Sequence, residues 1–424
     1  MSRVETLMDR LRRETDEHHR KIEALPFFEA LMGETLLIRC YVGLLKSMAV
    51  VNGVLESALS HSKHPVLASV WRENMRKLPL LQADLASFEG EDLSDILPVT
   101  TRTLEFAARV REWSASQPLA LLGCLYVLEG SMLGSKVLRD KVARILVLQR
   151  QAGLQYMSKY DSNVTDQWRG FAQRMNAARL NENDTQMIVH GAQSAFEGIG
   201  HIVEVLYPFE EAPTPYQASI LNPDAGTHHI SHDPRELLAA LDAGEKSWKA
   251  YPYFQWRYGE RGRRFTRSDS AWLVTLSGMR PEIMDQQVHW LGRLLSVRGM
   301  PRILLEHHLH DLCEALVQAV PEREHRYVKL AEAAGGLRKI RHQYIDEYTF
   351  ESLSTEFHGE VGHSWSERLP GTGKILVSAV VDEMAGIDRA VQSLITWMTD
   401  SSRFPEPWIS AVHNILAKAR SHTA

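Results

Sequence analysis

The chain has 424 residues, with 48 lysines and arginines against 53 aspartates and glutamates, so its formal net charge is −5. Hydrophobic residues make up 44% and charged residues 24%, which are proportions of an ordinary folded protein and exclude disordered and collagen-like classes. A weakly acidic chain is also a poor match for a general nucleic-acid coat, and we expect no nucleic-acid partner.

The helices of the first half can be placed from apolar residues that recur at intervals of three and four rather than two. This pattern predicts helices near 4–22, 36–59, 65–88, 101–114, from 118 onward, and 184–206. No convincing run of alternating apolar and polar residues predicts a strand. We therefore predict an all-α fold.

The second half is also predicted to be helical. A capping carboxylate at Asp233 before Pro234 predicts a helix start, because proline suits the first turn of a helix. Further helices are predicted over 302–320, 374–400 and 406–420. Proline recurs between 207 and 234 and predicts a linker. The predicted organisation is a multi-helix domain over 1–207, a proline-rich linker over 208–233, and a helical domain over 234–424.

The cysteines and apolar runs bear on the cellular compartment. Cys40, Cys124 and Cys313 are scattered and odd in number, which fits a reducing compartment better than a disulfide framework or a cysteine zinc site. The longest apolar run, 119–128, stops at Glu129 and is shorter than the roughly 18 residues of a membrane span. We therefore expect a soluble cytoplasmic protein that does not enter a membrane.

One of the 19 histidines stands out on the first helix. The apolar stripe through positions 4, 8, 11, 15, 19 and 22 predicts that His19 lies on the buried face and His18 towards the charged side. Glu23 follows His19 by four residues, one turn on. A metal-binding imidazole usually gives its other N–H to a carboxylate, carbonyl or water, so His19 with Glu23 suits a metal ligand. A core histidine with a satisfied hydrogen bond suits the same pattern.

A second motif places Gly130, Ser131, Gly134 and Ser135 within a strongly apolar helix. A glycine inside a helix costs roughly 1 kcal/mol relative to alanine. Close helix packing or the close approach of a flat ligand would offset this cost, and the helix can kink at such a site. The small side chains clear one face for about a turn and a half.

Together the two motifs resemble the heme oxygenase family. The segment 11–23 resembles the proximal helix of that family, in which a threonine precedes the iron-binding histidine by four residues and a glutamate follows it by four. The segment 130–138 resembles the kinked distal helix, and Phe196 lies in a fitting later helix. The resemblance covers roughly 1–207 and is strongest to the bacterial branch found beside bacteriophytochromes.

The resemblance implies roles for individual residues. His19 would be the axial ligand to heme iron. The implied distal catalytic positions are Gly130, Ser131 and Gly134. The implied heme-binding positions are Arg12, Thr15, Glu23, Ser135 and Phe196. Two positions depart from the family pattern: Ser131 replaces an aspartate that organises distal water in many members, and Ser135 replaces a glycine.

The implied activity is the opening of heme, as both cofactor and substrate, to biliverdin, carbon monoxide and ferrous iron. It would need O2 and an external electron donor, such as a reductase or a ferredoxin-type protein, and a bacteriophytochrome could accept the bilin. A non-enzymatic heme sensor or carrier is one alternative. Another is a thiaminase-like enzyme on the same helical scaffold, for which Cys124 is the nearby nucleophile candidate.

The second half resembles no family that we recognise. Arginines interleaved with aromatic residues over 257–267 suit either a flat anionic partner or a solvated loop with aromatic packing. On a helix, four imidazole and carboxylate side chains of 307–314 share one face, which could hold a divalent metal or simply face solvent, while His308 joins the apolar face. Two histidines within the glycine-containing segment 358–363 match no metalloprotease spacing.

Overall fold

The computed structural model describes residues 5–89, 97–145, 153–208 and 216–422. Within these ranges the regular elements are helical, apart from one isolated bridge between Gln217 and His229. The predicted all-α class is therefore confirmed. The chain packs as two compact units, one formed by 1–215 with 232–235 and the other by 216–231 with 236–424. The predicted limits at 207 and 234 stay predictions about independently folding domains.

The first unit contains ten α-helices. They are α1 (Leu7–Glu23), α2 (Pro26–Met32), α3 (Ile38–His61), α4 (Pro65–Val70), α5 (Leu78–Ala86), α6 (Leu97–Ser116), α7 (Ala120–Gly130), α8 (Ser135–Ile145), α9 (Val164–Ala177) and α10 (Glu182–Leu206). The prediction of one helix over 65–88 is wrong. The buried Glu56 carboxylate accepts the backbone N–H groups of Lys77 and Leu78 at 2.6 and 3.2 Å, which satisfies the start of a separate helix, α5.

Helix α10 occupies the centre of this unit, where it packs against α1, α6 and α7. Its crossing with α7 is backbone to backbone, because glycine faces the partner helix from both sides. A β-carbon at Gly191 would lie 2.2 Å from the Ala120 carbonyl oxygen, and one at Gly123 would lie 2.1 Å from that of Ile188. This contact fixes the spacing of the two helices that carry Phe196 and Gly130.

The second unit also contains ten α-helices. They are α11 (Pro234–Ala250), α12 (Tyr253–Leu276), α13 (Pro281–Ser296), α14 (Arg302–Ala319), α15 (Glu324–His342), α16 (Glu347–Val361), α17 (His363–Arg368), α18 (Thr372–Met384), α19 (Ala390–Met398) and α20 (Glu406–His422). The prediction of one helix over 374–400 is wrong. The backbone enters the left-handed region at Gly386 (φ 80°) and Arg389 (φ 66°), which separates α18 from α19.

Two helical stretches of the described residues are long and apolar enough to cross a membrane by length and composition, Ile38–His61 and Ala120–Ile145. About two thirds (67%) of the apolar window in the first and 56% in the second are buried inside the protein. Core helices of soluble proteins meet the same test. Their burial against neighbouring helices accounts for the apolar composition of both stretches.

Candidate functional site

The buried stripe of α1 passes through His18 rather than His19. Leu11 and Thr15 are buried and His18 retains 24% of its side-chain exposure, whereas the His19 side chain is 57% exposed. The prediction that His19 lies on the buried face is therefore wrong. From Thr15 the stripe advances by three residues and not by four, and both steps lie close to the 3.6-residue helical repeat.

The exposed His19 ring is nevertheless oriented by two neighbours. Its Nδ1 atom lies 3.4 Å from a carboxylate oxygen of Glu23, one turn along α1. The edge of its ring meets Phe196 of α10 with 5.8 Å between ring centroids and an interplanar angle of 83°. Because Nδ1 faces the carboxylate, Nε2 is the nitrogen that a ligand can approach. The sequence correctly predicted the association of His19 with Glu23.

Thr15 and Arg12 lie on opposite sides of this part of α1. Thr15 is buried and its hydroxyl donates to the Leu11 carbonyl oxygen at 2.7 Å. It also contacts the Tyr126 hydroxyl of α7, so its placement supports the joining of two helices rather than contact with a bound molecule. Arg12 is exposed and close enough to Tyr126 to influence that hydroxyl electrostatically.

The helix that contains the glycine motif changes geometry at the motif. Helix α7 ends at Gly130, a 3-10 segment covers Ser131–Gly134, and α8 begins at Ser135. Ser131 and Gly134 are exposed, and a β-carbon at Gly134 would meet no atom within 4 Å. The expected break in the helix is present, and it leaves an open face with very little side-chain bulk. We call the five residues 130–134 the distal segment.

The two serines of the motif face different ways. The Ser131 hydroxyl donates to the Leu128 carbonyl oxygen at 3.0 Å on the exposed side. Ser135 is buried, and its hydroxyl donates to the Met132 carbonyl oxygen at 2.7 Å. Ser135 therefore adds no bulk to the open face, in contrast to the expectation from sequence.

A buried charge cluster supports the end of α7, and the sequence analysis did not identify it. One carboxylate oxygen of Glu129 pairs with the Lys77 ammonium group, and the other accepts the Tyr160 hydroxyl at 3.0 Å. Both Lys77 and Glu129 are almost fully buried. The signal in the sequence was the position of Glu129, a charged residue that interrupts the longest apolar run directly before Gly130.

Comparisons with known proteins place this geometry in a family. Residues 5–204 match the family model for heme oxygenase. The first unit is a heme oxygenase family domain. The chain is 33% identical over 95 residues to heme oxygenase PigA of Pseudomonas aeruginosa, a match that covers 22% of this chain and about half (47%) of that relative. It is 21% identical over 193 residues to heme oxygenase 1 of a Nostoc species, covering 45% of this chain and 81% of that relative.

Solved heme oxygenase structures are also similar to the chain. Heme oxygenase-1 of Synechocystis, in complex with heme, has a TM-score of 0.43 at 19% identity and covers 48% of this chain and 92% of its own. Heme oxygenase from Leptospira interrogans has a TM-score of 0.43 at 22% identity and covers 47% of this chain and 98% of its own.

Outside the heme oxygenase domain, the predicted metal face of α14 is occupied by an ion pair. Lys246 of α11 lies 2.7 Å from Asp311 and 3.1 Å from Glu314. His308 is buried as predicted, between two serine hydroxyls that lie 3.0 Å from its two ring nitrogens. Across the described ranges, no three histidine, cysteine or acidic side chains are grouped so that they could hold a metal ion.

The segment 257–267 belongs to α12, which is kinked at Gly259. The Arg257 guanidinium lies 5.2 Å from the Tyr258 ring centroid and 5.8 Å from that of Trp397, so it packs within aromatic side chains. Two further arginines of the segment lie 3.3 and 3.5 Å from the Glu245 carboxylate. Aromatic packing and ion pairs therefore account for much of this cluster.

Proposed function

We propose that the heme oxygenase domain opens heme to biliverdin, carbon monoxide and ferrous iron, with heme as both substrate and cofactor. The observation that carries the proposal is the exposed His19 imidazole, whose Nδ1 faces Glu23 at 3.4 Å and whose ring edge meets Phe196. A carboxylate on Nδ1 holds the ring and makes Nε2 a better ligand.

The side chains around His19 and the distal segment fit a flat, anionic molecule. When bound, heme supplies the iron centre and the porphyrin carbon that is oxidised. Arg12 is exposed on α1 and would bind a carboxylate of the ring. Gly130 and Gly134 let the backbone approach a flat face closely, since no side chain intervenes. Ser131 is the hydroxyl of the distal segment that can donate or accept a proton at this face.

The wider reaction is part of the proposal. Opening the ring needs O2 and electrons from an external donor, for which a reductase or a ferredoxin-type protein is suited. A bilin-accepting protein such as a bacteriophytochrome would take the product. We also propose a cytoplasmic location, which agrees with three buried free cysteines.

Titration of the full chain with heme tests the proposed ligand. Wild-type protein should give a saturable Soret spectrum typical of histidine-ligated heme. His19→Ala should lose that spectrum, because no imidazole remains beside Glu23. His18→Ala is the matched control, since His18 lies one position away and turns into the protein. An unchanged spectrum in His19→Ala, or the loss of ligation in His18→Ala alone, contradicts the assignment.

One observation favours a heme sensor or carrier as the second candidate. Ser131 stands where many family members have an aspartate, and its hydroxyl donates to the backbone of its own helix. Turnover in air separates the two, because a sensor keeps its Soret band. The thiaminase-like alternative has little support, since complete burial raises the pKa of Cys124 to about 12 and keeps its thiol protonated.

A further inference from the structure

Beneath the distal segment lies a buried polar cluster that the proposed function does not use. We define the distal support cluster as Lys77, Glu129, Tyr156 and Tyr160. Glu129 binds Lys77 with one oxygen and Tyr160 with the other, so both carboxylate oxygens are satisfied. An ion pair buried in this way is costly to break, because each partner alone would be an uncompensated charge. The cluster therefore holds the last turn of α7 in one position.

Tyr156 extends this cluster to the distal segment. Its side chain is buried, and its hydroxyl is in hydrogen-bond contact with Ser131. Its backbone N–H donates to the Asp84 carboxylate at 2.8 Å, which fixes where the residue begins. Tyr156 is thus placed by its backbone and directed at Ser131 by its ring.

The hydroxyl hydrogen bonds have a preferred direction. A serine hydroxyl has one proton to donate and two lone pairs that accept. Burial, opposed in part by the contact with Ser131 and increased by the nearby carboxylates of Glu129 and Glu56, holds the pKa of Tyr156 well above its usual range. Tyr156 therefore keeps its proton and acts as the donor, and Ser131 is the acceptor. A relay that left a tyrosinate behind would oppose this balance.

We propose that Tyr156 is a positioning residue that donates to Ser131 and so leaves the Ser131 proton available to an oxygen acceptor bound at the distal face. The proton of Ser131 has two alternatives, the Leu128 carbonyl oxygen at 3.0 Å and the open face. With one lone pair of Ser131 occupied by Tyr156, the hydroxyl is a stronger donor, because hydrogen bonds in a chain polarise one another. The inference rests on the proposed heme oxygenase function.

Infrared spectroscopy of carbon monoxide on the ferrous heme complex tests this role without turnover. The C–O stretching band reports the hydrogen-bond donors that face the bound molecule. Ser131→Ala should shift the band, Tyr156→Phe should shift it in the same direction, and the double variant should add little. The single-turnover rate of Tyr156→Phe should fall about tenfold, the loss expected for one net hydrogen bond, while the heme Kd stays unchanged.

Tyr41→Phe is the matched control. Tyr41 is also a buried tyrosine, and its hydroxyl donates to the Gly153 carbonyl oxygen at 2.7 Å, in the chain segment that leads to Tyr156. It should leave the band and the rate unchanged. A band that shifts as much in Tyr41→Phe as in Tyr156→Phe contradicts the specific role.

The outcomes separate this inference from the proposed function. A wild-type protein that binds no heme through His19 overturns both. A normal heme complex whose band is the same in Tyr156→Phe overturns the positioning role alone. Should Tyr156→Phe fail to fold, the Ser131→Ala arm still decides, because an unshifted band there shows that Ser131 is no donor to the distal face.

Discussion

The crossing of α7 and α10 makes a sharp prediction about Gly191→Ala. The new β-carbon would lie 2.2 Å from the Ala120 carbonyl oxygen, whereas ordinary contacts begin at 3.4 Å. The neighbouring atom is backbone and cannot rotate away, so the helices must separate by about 1 Å. Overpacking of this kind costs about 1–3 kcal/mol or more, and the better helix propensity of alanine returns up to about 1 kcal/mol. We expect a net loss of about 2 kcal/mol.

Gly200→Ala on the same helix is the control for this prediction. Its new β-carbon would lie 3.6 Å from Ile22, an ordinary van der Waals contact. Only the propensity gain remains, so this variant should be more stable than wild type by up to about 1 kcal/mol.

Scanning calorimetry of the full chain measures both variants. For a unit of about 200 residues, 1 kcal/mol shifts Tm by about 2–4 °C, so Gly191→Ala should lower it by roughly 4–8 °C. Hydrogen exchange of α10 peptides and α14 peptides assigns the change to the first unit, because only the former should lose protection. Equal stability of Gly191→Ala and Gly200→Ala would refute the close helix crossing.

Three further changes have expected magnitudes. Lys77→Met should lower the free energy of unfolding by about 3–5 kcal/mol in urea titrations, and adding Glu129→Leu should restore part of it, because the unpaired buried carboxylate is removed. Desolvation lowers the pKa of His308 from 6.5 to about 4, so the folded state resists protonation. Unfolding free energy should therefore decline by about 3 kcal/mol as pH falls from about 6.5 to 4, a loss that His308→Asn should not show. Gly259→Ala should cost about 1–3 kcal/mol in thermal unfolding, because its backbone (φ 54°, ψ −153°) suits glycine alone although the site has space.

The helical fold could be predicted from sequence because each helix buries one face. Predicted helices near 36–59 and 184–206 correspond to α3 and α10 within a few residues. The errors occur where a local pattern permits two solutions. The stripe of α1 could reach His18 or His19 from Thr15, and packing against α10 selects His18. The apolar pattern of 374–400 continues past Gly386, but the backbone turns there.

The site was predictable only where its residues are neighbours in sequence. His19 with Glu23, and Gly130 with Gly134, form short motifs whose spacing is visible directly. The distal support cluster was not, because it joins Lys77, Glu129 and the segment 156–160 across the chain. No periodicity relates such residues, and only the folded structure brings Tyr156 to Ser131.

A single turnover of the heme-loaded full chain tests the central claim most directly. The complex is mixed with ascorbate in air, the absorption spectrum is followed, and carbon monoxide is trapped and counted against the heme consumed. The account predicts that the Soret band disappears, that a bilin absorption replaces it, and that one carbon monoxide is released for each heme lost. A Soret band that survives these conditions, with no carbon monoxide, contradicts the assignment and leaves a heme-binding protein that does not open its ligand.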